Sequence, residues 1–280
     1  MREIVTASQA RNVTKLRFCY VCGKPFTKTH PKTRDHVPPK KIFRKEDRPW
    51  PLILPAHEEC NSEYSMTDEQ AKDLLLLLQP ESTKQPPVRT KPIGIAKRAG
   101  KPTAVLLQGL FLGTIISKIL RACHAALYND YLPETTKNMI LTPLPEFDPK
   151  TGDIQKNTFL PQHEILCNLL KDNRKIKNID RIQANNGKFR FEVLWDTFDN
   201  NRGNFAAFGI DIYNWHQLGD QVLGRPQGCV GSYRIKGDKI PEGASIGKNI
   251  DNKFLNMYEQ QDRALFSDVK NNLTYLKDHP

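Results

Sequence analysis

The chain has 280 residues, 38% hydrophobic and 26% charged, which suits one large or two smaller folded domains and excludes a largely disordered chain. Its formal net charge of +11 is unevenly spread: Lys/Arg against Asp/Glu count 13 to 6 in residues 1–60, 1 to 5 in 61–81, 8 to none in 82–129, and 20 to 20 from 130 onward. Six cysteines are too few for a disulfide scaffold, the N-terminal MREIVTASQARNVTKLRF lacks the apolar run of a signal peptide, and the apolar stretch near 103–117 is short for a membrane span. A reducing cytoplasm is the expected setting. The basic surplus of the first 129 residues favours a polyanionic partner, nucleic acid being the commonest; the plainer alternative is a surface kept soluble by charge.

In chain order, residues 1–15 give no clear element. Residues 15–21 carry Leu16, Phe18, Tyr20 and Val21 and predict a short strand entering a Cys-x-x-Cys-Gly turn, with Gly23 supplying positive φ. A second short strand approaches Asp35 and His36 and ends before Pro38 and Pro39, which lack ladder donors. A helix is predicted from about His57 to Pro80, with Glu58 and Glu59 favoured in its first turn by the helix dipole and an all-apolar run over 74–78 buried between other elements. Residues 80–102, with five prolines and six basic side chains, read as a linker or as a basic arm along a phosphate backbone.

A buried amphipathic helix is predicted over 104–127, with Cys123 and His124 as packing residues. Residues 133–161 are proline-rich and read as irregular. Alternation over 188–195 after Asn186-Gly187 predicts a half-buried strand, 204–213 and 229–235 predict two more, and 252–277 predicts a terminal helix. No internal repeat is found. The second half is therefore expected to be an α+β unit of neutral charge without a chemical motif.

The chemistry concentrates in residues 19–61. Cys19 and Cys22, then His57 and Cys60, form two pairs, each separated by two residues. Three thiolates and an imidazole in this pattern are the donor set of a closed tetrahedral structural Zn2+ site. The alternative is two ordinary buried cysteines and a surface histidine. The gap of 34 residues between the pairs is long for a small zinc finger, so something is built inside the loop.

The order Cys-x-x-Cys, Asp-His-Val-Pro-Pro-Lys, His-x-x-Cys-Asn resembles the zinc-containing HNH endonucleases over about residues 15–80. The resemblance implies an N-terminal zinc-stapled ββα-metal module (1–80); with the basic proline-rich linker (81–102) and a larger α+β domain of unassigned role, regulatory, targeting or oligomerising (103–280), the expected fold class is α+β. The resemblance also implies His36 as general base, and Asp35 and Asn61 as ligands of a catalytic Mg2+ or Mn2+. Leu52 stands where the family usually has an asparagine that helps brace the histidine. It also carries a family-level association with bacterial or phage defence and mobile elements.

The residue chemistry agrees with these roles. A neutral imidazole takes a proton near pH 7, and a hard cation on oxygen ligands stabilises a leaving oxygen. Adjacent strand residues point to opposite faces, so Asp35 and His36 share one site only if the backbone bends near them. Arg34, Lys40, Lys41 and Arg44 are candidate phosphate contacts. Ser65 and Asp68 share a helix face with Asn61 and read as solvated in preference to supporting the site. The expectation is a divalent-metal-dependent endonuclease acting on DNA, with RNA open as a substrate. Two other readings are a non-catalytic zinc module that binds nucleic acid, and a protein that recruits a partner, or self-associates, through residues 103–280.

Overall fold

The computed structural model describes residues 1–69, 93–96, 104–107, 112–133, 137–141, 144–147, 154–158, 161–197, 204–212, 229–234 and 240–247. The chain opens with strand β1 (Glu3–Ile4) and helix α1 (Ala7–Val13). Thr6 caps α1 in a reciprocal capping box with Gln9, which satisfies backbone donors that a helix start leaves open. Strands β2 (Lys32–His36) and β3 (Ile53–His57) then pair antiparallel, and β3 runs directly into helix α2 (Glu58–Glu63). Helical backbone resumes at 65–69, and the rest of the helix predicted to Pro80, including the apolar run, lies outside the described residues. The strand predicted over 15–21 reduces to a single bridge, Phe18 to Pro25, because the backbone there is taken up by the turn: the Cys19 amide donates to the Lys24 carbonyl (2.9 Å) and the Gly23 amide to the Cys19 carbonyl (2.8 Å).

The middle of the chain corrects two expectations. Within the predicted linker, β4 (Ile93–Ala96) pairs antiparallel with β5 (Ala104–Leu107), so the helix begins only afterwards, as α3 (Leu112–Tyr128). Four apolar residues ahead of a helical period are readable either way, and pairing with the preceding strand β4 decides. Residues 133–161, expected to be irregular, contain β6 (Lys137–Leu141), β7 (Leu144–Phe147) and β8 (Ile154–Thr158), the last two forming their own ribbon. Helix α4 (Pro161–Lys175) follows.

Strands β9 (Asp180–Ala184), β10 (Phe189–Thr197), β11 (Asn204–Ile212) and β12 (Cys229–Arg234) form the main sheet with β1 and β6, in the order β1-β9-β10-β11-β12-β6. Only the β1–β9 pair is parallel. Asn185, Asn186 and Gly187 all have positive φ and turn β9 into β10, the strand expected after Asn186-Gly187. The predicted terminal helix over 252–277 lies outside the described residues.

Strand parity sorts the sheet's two faces. Phe189, Phe191, Val193 and Trp195 of β10, with Phe208 and Ile210 of β11, join the main core, whereas Leu194 and Ala207 belong to the other face, where α4 packs. The main core is continuous from Tyr20, Val37 and Leu52 through Ile119 and Cys123 of α3 to Phe189 and Trp195. Helix α3 is therefore a wall shared by the N-terminal residues and the sheet. Cys123 and His124 are buried on it, and the His124 ring meets Tyr128, Trp195 and Tyr233 edge-on at 5.0–6.4 Å. The N-terminus is tied to the sheet by β1 and by the Arg2 amide, which donates to Asp180 Oδ1 at 2.5 Å. Among the described residues no helix is long and apolar enough to cross a membrane.

Candidate functional site

Cys19, Cys22, His57 and Cys60 converge so that their ligand atoms all lie within 4.8 Å of one another. The Cys19-x2-Cys22 turn is closed by Gly23 at φ +74°, and a Cβ there would meet the Tyr131 ring at 2.7 Å, so glycine is required on both counts. His57 ends β3 and Cys60 lies in the first turn of α2, which brings the second pair over the first. His57 Nδ1 is 3.3 Å from Cys22 Sγ and 3.9 Å from Cys60 Sγ. A tetrahedron with Zn–S near 2.3 Å and Zn–N near 2.0–2.1 Å separates its donors by about 3.5–3.8 Å, so these spacings fit zinc.

The surroundings orient the ligands. His57 Nε2 donates to the Pro25 carbonyl at 3.2 Å, which fixes the tautomer and leaves the Nδ1 lone pair for the cluster. The His57 amide donates to Cys19 Sγ at 3.3 Å, and the Phe26 ring abuts the imidazole edge-on at 5.1 Å. Burial, together with the facing Cys19 and Cys22, pushes the Cys60 thiol up to about 12, and burial raises Cys19 as well. Crowded sulfurs of this kind become thiolates together only around a cation. The cluster could hold a metal ion such as zinc.

One residue beyond Cys60, Asn61 reaches Asp35. The end of its amide is 3.2 Å from both Asp35 carboxylate oxygens. With its nitrogen turned inward, Asn61 donates to both; with its oxygen inward, amide and carboxylate oxygens face one another, which a cation between them would satisfy. Asp35 and Asn61 carry oxygen atoms of the kind that hard divalent cations take as ligands.

Three residues missed as site members complete this centre. Tyr20 Oη donates to Asp35 Oδ2 at 2.6 Å, and burial, reinforced by Asp35, holds the phenol well above its ordinary value and protonated. Lys118 of α3 places Nζ 3.0 Å from Asp35 Oδ2 and 2.8 Å from Asp68 Oδ2, and 5.2 Å from the centre of the Tyr64 ring. Asp68, read from sequence as solvated, is instead partly buried and paired; burial raises its carboxyl while Lys118 opposes the shift. For Tyr20 and Lys118 no sequence signal exists beyond residue type. Asp68 shares the helix face of Asn61, seven residues on.

His36 is placed differently. The β2–β3 ladder is regular through Asp35↔Leu54 and His36↔Ile53, without the bend that would turn adjacent residues to one side. Asp35 therefore points into the protein and His36, half-buried, leaves by the opposite face with Arg34. Burial lowers the His36 pKa from its ordinary 6.5, and Lys40 lowers it further, so the ring is neutral near pH 7. No hydrogen bond ties the imidazole to the other described residues. Leu52 is 1% exposed and packs in the core; its carbonyl accepts from the Val37 amide at 3.0 Å, bracing the backbone beside His36. Arg34, Lys40, Lys41 and Arg44 are all exposed, and Lys41 lies 3.7 Å from Glu69.

No family model, curated protein or solved structure matches this chain.

Proposed function

We propose that the chain is an HNH-type endonuclease that hydrolyses phosphodiester bonds of DNA with the help of a divalent cation. The observation that carries this reading is the placement of Asn61: its neighbour Cys60 belongs to the metal cluster, and its own amide meets Asp35 at 3.2 Å. A thiolate-rich site and an oxygen-only site are thereby coupled through adjacent residues of one helix, on a strand–strand–helix frame of β2, β3 and α2. Soft and hard donors separate by metal type: sulfur and imidazole suit zinc, carboxylate and amide oxygen suit Mg2+ or Mn2+.

In this reading Asp35 and Asn61 hold the catalytic cation. When bound, Mg2+ or Mn2+ supplies Lewis-acid stabilisation of the leaving oxygen. His36, neutral near pH 7, takes the proton from water as its oxygen bonds to phosphorus and the bond from phosphorus to the leaving oxygen breaks. In-line displacement sets attacking and leaving oxygens on opposite sides of phosphorus. Asp35 and His36 leave β2 on opposite faces, so in this reading the backbone beside them turns to bring both to one phosphate. Arg34 and Lys40, close enough to depress the His36 pKa, are the nearest cations for a phosphate approaching it, and Lys41 and Arg44 extend the basic surface. The test is a cleavage panel of single- and double-stranded DNA and RNA with Mg2+, Mn2+ or EDTA. Metal-dependent nicking of DNA is expected; salt-sensitive binding without cleavage in any metal would favour a non-catalytic nucleic-acid-binding module.

A further inference from the structure

The ammonium of Lys118 is the most deeply buried charge at the centre, with its side chain 2% exposed against 6% for Asp35 and 21% for Asp68. It comes from α3, far along the chain from the metal cluster, and bridges the two carboxylates at 3.0 and 2.8 Å. A buried ammonium is stable only if its charge is matched, and these contacts match it. Asp35, which also accepts from Tyr20 and faces Asn61, is thus neutralised from within the protein.

We propose that Lys118 is a built-in counter-cation that opposes the divalent cation at Asp35, setting a low affinity for free metal. The inference rests on the reading of Asp35 and Asn61 as cation ligands. Asp35, Asp68 and Lys118 together carry one net negative charge, whereas the two carboxylates alone carry two. An incoming dication must share Asp35 with an ammonium 3.0 Å away, or displace it. At the few-ångström separations involved, removing that like charge strengthens cation binding by at least about tenfold. Lys118 is a positioning residue in this account: it keeps Asp35 ordered and compensated when no metal is bound, and it touches no substrate.

Mn2+ binding to the full chain, followed by calorimetry and by the electron paramagnetic resonance signal of free Mn2+, reads this directly. Zinc content and circular dichroism report whether each variant has folded. Lys118→Met is expected to bind Mn2+ at least about tenfold more tightly than the native chain, and Asp68→Asn more weakly. Should Lys118→Met fail to fold, Asp68→Asn is compared with the double variant Asp68→Asn/Lys118→Met, which removes both partners of an ion pair and is better tolerated. The double variant is again expected to bind more tightly than Asp68→Asn alone. Equal Mn2+ affinity with and without Lys118, where binding is lost in Asp35→Ala, overturns this inference and leaves the cation site standing. Absence of any Asp35-dependent Mn2+ binding in all variants overturns the site and the inference together.

Discussion

The Asn61 amide lies 3.2 Å from both carboxylate oxygens of Asp35, across the short path from the start of α2 to β2. Cys60 belongs to the cluster that could hold a metal ion, so a metal bound there would also fix its neighbour Asn61. Replacing Asn61 by Ala is expected to lower cleavage by about 100-fold or more while zinc content and fold persist. Plasmid nicking rates, beside metal analysis of the same preparation, check this.

Tyr20 supports the same carboxylate from within the core. Tyr20→Phe removes the 2.6 Å bond to Asp35 and leaves the ring in place. A hydrogen bond to a charged group is worth about 1.5–3 kcal/mol, so the variant should unfold in urea with stability reduced by that amount.

The metal cluster is expected to be structural. Cys22→Ser or Cys60→Ser should lose about one zinc per chain and leave the N-terminal region unfolded or insoluble. Gly23→Ala keeps every ligand but places a methyl 2.7 Å from the Tyr131 ring at positive φ. It should be destabilised by about 1–3 kcal/mol, read as a lower melting temperature and faster zinc loss to a chelator.

The state of His36 predicts the acid limb of the pH–rate profile. Burial and Lys40 lower its pKa from 6.5, so the base form persists to pH values below that figure and activity falls only under it. Lys40→Gln removes one of the lowering charges, and the midpoint should move up. A limb unmoved by Lys40→Gln would detach His36 from the rate.

His124 gives a stability prediction from the same cause, burial of an imidazole. Burial depresses its pKa from 6.5 to about 4, and both ring nitrogens are buried without a hydrogen-bond partner among the described residues. The folded state therefore prefers the neutral ring. The associated stability is complete above pH 6.5 and is lost as pH falls from there toward 4, about 3 kcal/mol in all. His124→Phe should flatten that part of the stability curve relative to the native chain, measured by urea unfolding at pH 7, 6, 5 and 4.5.

What was legible in the sequence was what local spacing encodes. Cys19, Cys22, His57 and Cys60 announced themselves because two-residue gaps are a ligand geometry, whereas the opposite faces taken by Asp35 and His36 follow from how β2 pairs with β3. Strand β10 was readable from alternation, and β11 and β12 fall on the two further stretches read as strands. Lys118 was not, since nothing near it in sequence says that an ammonium on an apolar helix will meet Asp35 and Asp68. The strand β5 was hidden because Ala104 to Leu107 continues the apolar pattern of α3, and only its pairing with β4 sets it apart. Leu52, where the resemblance leads one to look for an asparagine, is a core residue whose carbonyl accepts from the Val37 amide.

The most direct test is cleavage of supercoiled plasmid by purified protein in Mn2+, with His36→Ala beside it at equal zinc content and equal circular dichroism. The native chain should nick the plasmid, EDTA should stop it, and His36→Ala should lose about 100-fold or more. Undiminished cleavage by His36→Ala would contradict the assignment of the general base and the account built on it.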